Sequence, residues 1–282
     1  MVLDEETNAL FIADTLPKKF PEFYNAFENL IKDCKVLFSL LPETNDIWAV
    51  DYMPVQVRAD KFIRFNYKPD YLQGKKWIQT ISNADRICEN LGIKTLKSDI
   101  ILDGGNLIKS RNKVIMCDKV IRENPHYSKK KLIKVLIELL EIDELFFVPQ
   151  QPKDFTGHAD GMIRFLDEDT VLINNYTREN LVFQRAFDIA IHNAGLDCIE
   201  IPYNPYTNTS NEQARGCYIN FLQMEGLIVL PVFDIEEDEK TTRIFEDLFK
   251  GHLIKTINSN EIANQGGVLN CITWNICQNK LE

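Results

Sequence analysis

The sequence lacks the features that mark membrane, secreted and multidomain proteins. Its apolar runs are short, and the run at 227–230 has the length of a strand rather than of a membrane span. Residues 1–6 show no basic region followed by an apolar stretch, so we expect no signal peptide. No proline-rich, glycine/serine-rich or single-sign stretch is long enough to form a linker. We therefore expect residues 1–282 to form one domain located in the cytoplasm.

Several common active-site motifs are also missing. The sequence contains no G-x-G-x-x-G, G-x-x-x-x-G-K, H-E-x-x-H or G-x-S-x-G motif, which disfavours dinucleotide-binding proteins, P-loop proteins, zinc proteases and serine hydrolases. Its seven cysteines are odd in number and include no C-x-x-C pair, so a disulfide framework is not expected. We interpret most of these cysteines as small core residues in a reducing compartment.

The charge balance limits the possible partners. The 42 acidic residues exceed the 32 basic residues, which gives a formal net charge of −10. Nucleic acids and anionic membrane surfaces would be repelled by this charge, so we expect neither as a partner. An acidic protein is better suited to a cationic ligand.

Short strand patterns alternate with amphipathic helix patterns along the chain, which predicts an α/β fold with mixed strands. Glycine-bearing turns near 103, 157 and 266 hint at an internal repeat of about 56 residues. Periodicity alone does not distinguish a pseudo-repeated propeller from a layered sheet. The predicted helices are 21–32, 129–140, 179–193 and 237–249, and the predicted strands are 35–40, 61–66, 99–102, 113–117, 144–148, 162–165, 170–173, 198–201, 227–232 and 268–274.

Cys271 is the candidate nucleophile. It follows Gly266 and Gly267, which allow a sharp turn and would leave the thiol projecting from the end of a strand into a cleft. A thiol attacks carbon only as the thiolate, so a base or a nearby cation is needed. We interpret the other six cysteines as buried and inert.

His158 and Asp160 are the candidate partners of the thiol. They lie in a loop of small residues, Gly157 to Gly161, with the spacing H-x-D. If this loop is extended, both side chains point to the same side. The alternative is that Asp160 only caps a turn. The other histidines are interpreted as solvated or structural: His126, His192 and His252.

Two further carboxylates, Asp51 and Asp103, come directly after apolar residues. Asp51 is predicted at a strand end before Pro54, where it could hold a guanidinium group through two parallel hydrogen bonds, or lie in a plain surface turn. Asp103 precedes two glycines, a pattern that fits either a functional rim or an ordinary hairpin turn. A metal site built from His158, Asp160 and Cys271 is disfavoured because a second histidine at ligand spacing is missing.

With these motifs in order, the chain resembles the agmatine deiminase and bacterial peptidylarginine deiminase family of the guanidino-group modifying superfamily. The resemblance is carried by residues 48–54, 103–106, 157–165, 217–221, 229–233 and 266–273. It implies a single-domain, five-bladed, pseudo-symmetric α/β-propeller of the pentein type, with the active site in the central channel.

The resemblance also implies a role for each candidate residue. Cys271 would attack the guanidinium carbon, and His158 would protonate the departing ammonia and then activate water. Asp51 and Asp160 would hold the guanidinium nitrogens.

Asp103 stands where relatives usually have glutamate, and it would orient His158 or contact the substrate. Trp48 would line the pocket and could stack on the flat cation. No metal or organic cofactor is implied, and the partner would be a small cationic guanidino compound, with a homo-oligomer left open.

The sequence departs from the family pattern at two positions: Val50 replaces an arginine and Asn270 replaces a histidine. The leading hypothesis is a hydrolase that converts agmatine to N-carbamoylputrescine and ammonia. One alternative is an amidinotransferase, which passes the amidino group to an amine. The other is a guanidinium-binding protein without catalysis, which Val50 favours.

Overall fold

The computed structural model describes residues 1–207 and 214–278, and these residues form five three-stranded sheets. The strands are β1 (Ala9–Ala13), β2 (Leu37–Leu41), β3 (Val55–Arg58), β4 (Lys61–Asn66), β5 (Thr95–Ile101), β6 (Ile108–Lys109), β7 (Lys113–Cys117), β8 (Glu144–Val148), β9 (Ile163–Phe165), β10 (Thr170–Asn174), β11 (Asp197–Ile201), β12 (Leu222–Met224), β13 (Leu227–Val232), β14 (Leu253–Asn258) and β15 (Thr273–Ile276).

Ten α-helical segments, several of them a single turn, connect these strands within the described ranges. They are α1 (Leu16–Lys19), α2 (Pro21–Asp33), α3 (Ala49–Tyr52), α4 (Ala84–Asn90), α5 (Lys119–Glu123), α6 (Lys129–Leu140), α7 (Leu181–Asn193), α8 (Glu237–Leu248), α9 (Asn260–Ala263) and α10 (Leu269–Ile272).

The same strand arrangement repeats in all five sheets. In each sheet the middle strand is antiparallel to one neighbour and parallel to the other, as in β6-β7-β8. A helix lies between the middle strand and its parallel neighbour, because a parallel connection needs a crossover. The sheets are β15-β1-β2, β3-β4-β5, β6-β7-β8, β9-β10-β11 and β12-β13-β14. This pseudo-fivefold arrangement confirms the predicted five-bladed α/β-propeller and the internal repeat that the glycine-bearing turns hinted at.

The first and last strands close the ring. Strand β1 pairs in parallel with β2 and antiparallel with β15, with Phe11 opposite Trp274. Strand β1 is buried along its whole length, so it shows no alternation of apolar and polar residues. That absence of alternation explains why the sequence pattern did not reveal it.

Helix α6 shows how local sequence sets the bounds of an element. The Ser128 hydroxyl accepts a hydrogen bond from the Lys131 amide and caps its first turn. Its buried residues recur at every fourth position, which gives one apolar face, and the chain leaves the helix at Glu141 with a φ of 54°. The predicted bounds of this helix, 129–140, are confirmed.

Two predictions of local structure are wrong. The predicted strand 268–274 is replaced at its start by the single helical turn α10, and strand β15 begins only at Thr273. Asp51 does not end a strand but lies in the single helical turn α3. Both turns are too short for helical periodicity to be visible in the sequence.

Apolar helix faces pack against the sheets throughout the fold. In α2, for example, Phe23, Phe27 and Ile31 are buried at intervals of four residues and belong to one cluster with Leu10 and Ile12 of β1. Across residues 1–207 and 214–278, no helix combines the length and the apolar character that crossing a membrane requires.

Candidate active site

The candidate residues lie on the segments that connect one sheet to the next. Each of the five connections contributes polar side chains to the centre of the ring. In chain order they carry Trp48 and Asp51, then Asp103, then His158 and Asp160, then Asn220, and finally Cys271. A pseudo-fivefold ring therefore brings together residues that are more than 200 positions apart in sequence.

Cys271 lies in α10, and the residue as a whole is 9% exposed. Its amide donates a hydrogen bond to Asn220 Oδ1 at 3.2 Å, which fixes the helical turn against the neighbouring connection. A Cβ atom at position 267 would lie 2.9 Å from Cys271 Sγ and 2.7 Å from Trp48 Cζ3. Gly267 is therefore required sterically, because no other residue leaves room for the thiol and the indole.

The nearest polar partner of the thiol is Asp160. Cys271 Sγ lies 3.3 Å from Asp160 Oδ2, and the same oxygen accepts a hydrogen bond from Asn270 Nδ2 at 2.8 Å. Asn270 Oδ1 in turn accepts from Arg164 at 2.8 Å, and Arg164 pairs with Asp4. A largely buried chain of hydrogen bonds, through the half-buried Asn270, thus holds the Asp160 carboxylate beside the sulfur.

His158 lies between two carboxylates. Its Nε2 donates to Asp103 Oδ2 at 3.0 Å, and its Nδ1 lies 3.5 Å from Asp51 Oδ1. Asp51 Oδ1 also accepts a hydrogen bond from the Gly105 amide at 3.0 Å. A Cβ atom at position 105 would lie 2.7 Å from Asp51 Oδ1 and 2.8 Å from His158 Nδ1, so this approach requires glycine. The Asp-Gly-Gly motif serves the site rather than a hairpin turn.

Asp103 has a second partner that the sequence did not indicate. Lys119, at the start of α5, places Nζ 3.2 Å from Asp103 Oδ2 and is 2% exposed. Asp103 itself is 1% exposed and lies behind the imidazole. Its carboxylate is thus shared by an imidazole and an ammonium group.

A cavity of about 640 Å³ opens in front of these groups. Trp48, Asp51, His158, Asp160 and Cys271 all line it. Among the described lining residues, the carboxylates are Asp46, Asp51, Asp154, Asp160 and Glu179, and the cationic or titratable basic groups are Lys19, Lys153, Arg215 and His158. The cavity is thus rich in groups that attract a cation.

Burial and neighbouring charges shift the titration of these groups in opposite directions. Burial lowers the pKa of His158, but the carboxylates of Asp51 and Asp103 outweigh it and raise this pKa to about 10. Burial raises the pKa of Asp51 to about 7, against the lowering effect of His158. Burial would raise the pKa of Asp103, but its bonds to His158 and Lys119 lower it. At neutral pH the imidazole therefore carries its proton and can act as an acid.

Burial raises the pKa of the Cys271 thiol well above its usual range, and the carboxylates of Asp160 and Asp51 raise it further. In the free protein the sulfur is therefore a thiol at neutral pH. A cation bound between these carboxylates would reverse their effect and favour the thiolate.

The structure brings the predicted site residues together. Cys271, His158, Asp160 and Asp51 face one cavity with Trp48, and Asp103 hydrogen-bonds His158. The segment 157–161 is not extended, because Gly157 has a φ of 66° and residues 159–161 form a bend and a turn, yet both His158 and Asp160 line the cavity. Nowhere in the described ranges do three or more histidine, cysteine or acidic side chains form a group that could hold a metal ion.

Sequence reasoning missed two buried residues of this site, Lys119 and Asn220. Asn220 lies in the motif at 217–221, but nothing in its spacing indicated that it would bind the Cys271 amide. Lys119 follows the buried strand β7 and an acidic residue, which is a common setting for a solvated helix start. Only contacts across different sheets reveal the role of either side chain.

Comparison with known proteins identifies relatives over most of the chain. Residues 17–276 match the family described as Porphyromonas-type peptidyl-arginine deiminase, which confirms the resemblance. An agmatine deiminase from Ectopseudomonas mendocina is 24% identical over 70% of this chain and 63% of its own length.

Solved structures share the fold. The agmatine deiminase of C. jejuni superimposes with a TM-score of 0.78 and 18% identity, covering 98% of this chain and 94% of its own. The dimethylarginine dimethylaminohydrolase of Pseudomonas aeruginosa gives a TM-score of 0.58 with 12% identity, covering 96% and 99%. These two comparisons support the pentein-type propeller.

Proposed function

Because the chain belongs to the Porphyromonas-type peptidyl-arginine deiminase family, we propose that it is a hydrolase that deiminates a small cationic guanidino compound, agmatine in the first place. The product would be N-carbamoylputrescine with release of ammonia. The observation that carries the proposal is the convergence of Cys271 Sγ, Asp160, Asp51 and His158 on one cavity. In this proposal residues 1–282 act as one catalytic domain.

Agmatine suits the charge of the cavity. Five carboxylates and three lysine or arginine side chains, together with His158, are the charged groups among the described lining residues. Asp51 and Asp160, beside the thiol, would hold the guanidinium end of agmatine. Three further carboxylates of the cavity remain to attract the ammonium at its other end: Asp46, Asp154 and Glu179. An arginine with a free carboxylate would gain less.

The first half of the reaction forms a covalent intermediate. A guanidinium held by Asp51 and Asp160 lies beside the thiol and lowers its pKa, so the thiol loses its proton to solvent. The Cys271 thiolate then adds to the guanidinium carbon. The His158 imidazolium transfers its proton to one nitrogen, which leaves as ammonia, and an amidino-thioether remains on the sulfur.

The second half of the reaction is hydrolysis. His158, now neutral, removes a proton from a water molecule as the water oxygen adds to the amidino carbon. The carbon–sulfur bond breaks as the ureido carbonyl forms, and the proton of the added hydroxyl restores the Cys271 thiol. His158 is protonated again, so one guanidinium substrate and one water give one ureido product and one ammonia, and the ammonia takes up the proton that the thiol released.

A substrate assay tests the proposal. Purified protein is incubated with agmatine, free arginine or an arginine-containing peptide, without any added amine acceptor, and ureido product and ammonia are measured. We expect both products from agmatine. If none of the three substrates yields ammonia and ureido product while Cys271 is unmodified, the proposal is contradicted. Turnover only after an amine is added would identify an amidinotransferase, and binding without turnover would identify a binding protein.

The thiol chemistry gives a prediction that does not require turnover. Chloroacetamidine, which carries a cation, should alkylate Cys271 at neutral pH at least about tenfold faster than the neutral reagent chloroacetamide, because only the cation offsets Asp160 and Asp51. Peptide mapping by mass spectrometry measures both rates. The exposed Cys198 is an internal control that should not prefer the amidine. Equal rates of the two reagents at Cys271 would show that the pocket does not recognise the cation.

A further inference from the structure

Lys119 is a buried cation that the reaction steps above do not use. It is 2% exposed, although lysine is almost never fully buried unless it is paired. It lies at the first position of α5, directly after strand β7 and Asp118. Its aliphatic part packs under the loop that carries His158, since a Cβ atom at Gly157 would lie 3.0 Å from Lys119 Cδ.

The Lys119 ammonium group joins elements that are distant in sequence. Its Nζ donates to the Thr156 carbonyl at 2.6 Å and to Asp103 Oδ2 at 3.2 Å. It also lies 3.3 Å from Glu123 Oε1 and 3.5 Å from Asp70 Oδ1, and 4.8 Å from the centre of the Tyr71 ring. Such a set of partners holds the ammonium group in one place.

Two of these contacts lead directly to His158. Asp103 Oδ2, which accepts from Lys119, also accepts from His158 Nε2 at 3.0 Å. Thr156, whose carbonyl accepts from Lys119, also accepts the His158 amide hydrogen through its Oγ1 at 3.3 Å. Lys119 therefore fixes both the carboxylate that orients the imidazole and the loop that carries it.

We propose that Lys119 is a positioning residue for deimination, which acts through Asp103 and the 156–158 loop to fix His158. The proposal rests on the deiminase function inferred above. The ammonium group keeps Asp103 ionised although it is buried, and it counteracts the carboxylates around the imidazole. His158 can then give its proton to ammonia and take another from water.

The charges around His158 and Lys119 determine in which direction the pKa of His158 should change when Lys119 is replaced. Asp51, Asp103 and Lys119 face His158, with the Tyr71 hydroxyl 3.5 Å from Nε2, and burial keeps the pKa of Tyr71 well above its usual range. Glu123 and Asp70 face Lys119 from α5 and from the segment after β4. Among the charges that act on His158, Lys119 lowers its pKa. Because Asp103 keeps its bond to the His158 imidazolium and stays ionised, removing this cation should raise the pKa of His158, and activation of water should require a higher pH.

The test uses Lys119→Met, which keeps the length of the side chain and removes its charge. We expect kcat with agmatine near pH 7 to fall about 100-fold, with KM changed less than about threefold, because acid–base chemistry rather than substrate binding is affected. The acid limb of the pH profile of kcat should move to higher pH. Acid-quenched samples should contain more amidino-thioether than the unsubstituted protein, since hydrolysis is slowed.

A double-mutant cycle with Asp103→Asn separates positioning from general stability. If Lys119 acts through Asp103, adding Lys119→Met to Asp103→Asn should cost much less than in the unsubstituted protein. Lys61→Met is the matched control, because Lys61 Nζ also bonds a carbonyl, that of Leu139, and a carboxylate, that of Glu141, far from the site. This control should keep its turnover and its pH profile.

Two further measurements keep the proposal open to contradiction. If Lys119→Met folds poorly, the double variant Lys119→Met/Glu123→Gln replaces it in these measurements. This variant removes the Glu123 carboxylate together with the Lys119 ammonium group that pairs with it. Nuclear magnetic resonance titration of the His158 ring in the substrate-free protein, assigned with His158→Gln, reads the pKa without turnover. An unchanged His158 titration and an unchanged pH profile would overturn the role of Lys119. Absence of turnover in the unsubstituted protein, with the titration shifted by Lys119→Met, would overturn the deiminase function and leave the coupling of Lys119 to His158 supported.

Discussion

Replacing Cys271 by alanine is expected to lower kcat/KM for agmatine by at least about 10⁴-fold, because the substitution removes the atom that carries the covalent intermediate. The other groups of the site would remain in place, since Asp160 keeps its bond to Asn270 and His158 keeps its bond to Asp103. The residual groups can bind a guanidinium but cannot form the thioether. Steady-state assays of ureido product measure the loss.

The fold should survive this substitution. Alanine loses only one sulfur atom, and the backbone bond from position 271 to Asn220 is unaffected. Circular dichroism and thermal unfolding would check this. Cys88→Ala is a matched control, since it also removes a buried thiol, but one in α4 that does not line the cavity. Turnover at the unsubstituted rate in Cys271→Ala would remove the thiol from the mechanism.

His158→Gln is expected to lower kcat by about 10³-fold or more, because one imidazole serves as the acid for ammonia and as the base for water. Glutamine retains a hydrogen-bond donor towards Asp103 but transfers no proton at neutral pH. The loss should appear mainly in kcat, since Asp51 and Asp160 remain to hold the guanidinium. Rapid-quench kinetics should show that formation of the intermediate slows together with its hydrolysis.

His192→Gln provides the comparison for this loss. His192 lies in the last turn of α7 and is exposed, so its replacement should leave kcat and KM unchanged. An effect of His158→Gln confined to KM, or no larger than that of His192→Gln, would contradict the acid–base role of His158.

The sequence predicted the type of fold and the residues of the site better than their local structure. Helix α6 has a capping serine and apolar residues at every fourth position, so its bounds follow from local rules alone. The single turns α3 and α10, which carry Asp51 and Cys271, contain four residues each and give no periodic signal. Ordered motifs singled out these two residues as candidates, and both line the cavity, although their local structure was predicted wrongly.

What escaped prediction are contacts between different sheets. Lys119 reaches Asp103 across 16 positions and Thr156 across 37 positions, and Asn220 reaches Cys271 across 51. No spacing rule relates such positions, because their proximity is created by closing five sheets into a ring. The burial of a lysine is a property of the folded molecule and not of its immediate sequence.

The two departures from the family pattern have defined places in the structure. Asn270, which replaces the family's histidine, hydrogen-bonds both Arg164 and Asp160 Oδ2 and so supports the carboxylate next to the sulfur. Val50 provides no charge for Asp51, but Asp51 receives the Gly105 amide and lies beside the His158 ring. These contacts favour a working site over a binding protein without catalysis.

The most direct test of the central claim is to trap the intermediate during turnover. The protein is mixed with agmatine, quenched with acid within the first turnovers, digested and mapped by mass spectrometry. We expect an adduct on Cys271 alone, with the mass of agmatine less one ammonia, that is enriched in Lys119→Met and absent from Cys271→Ala. Ureido product that forms at full rate while Cys271 stays free of any adduct would contradict that claim.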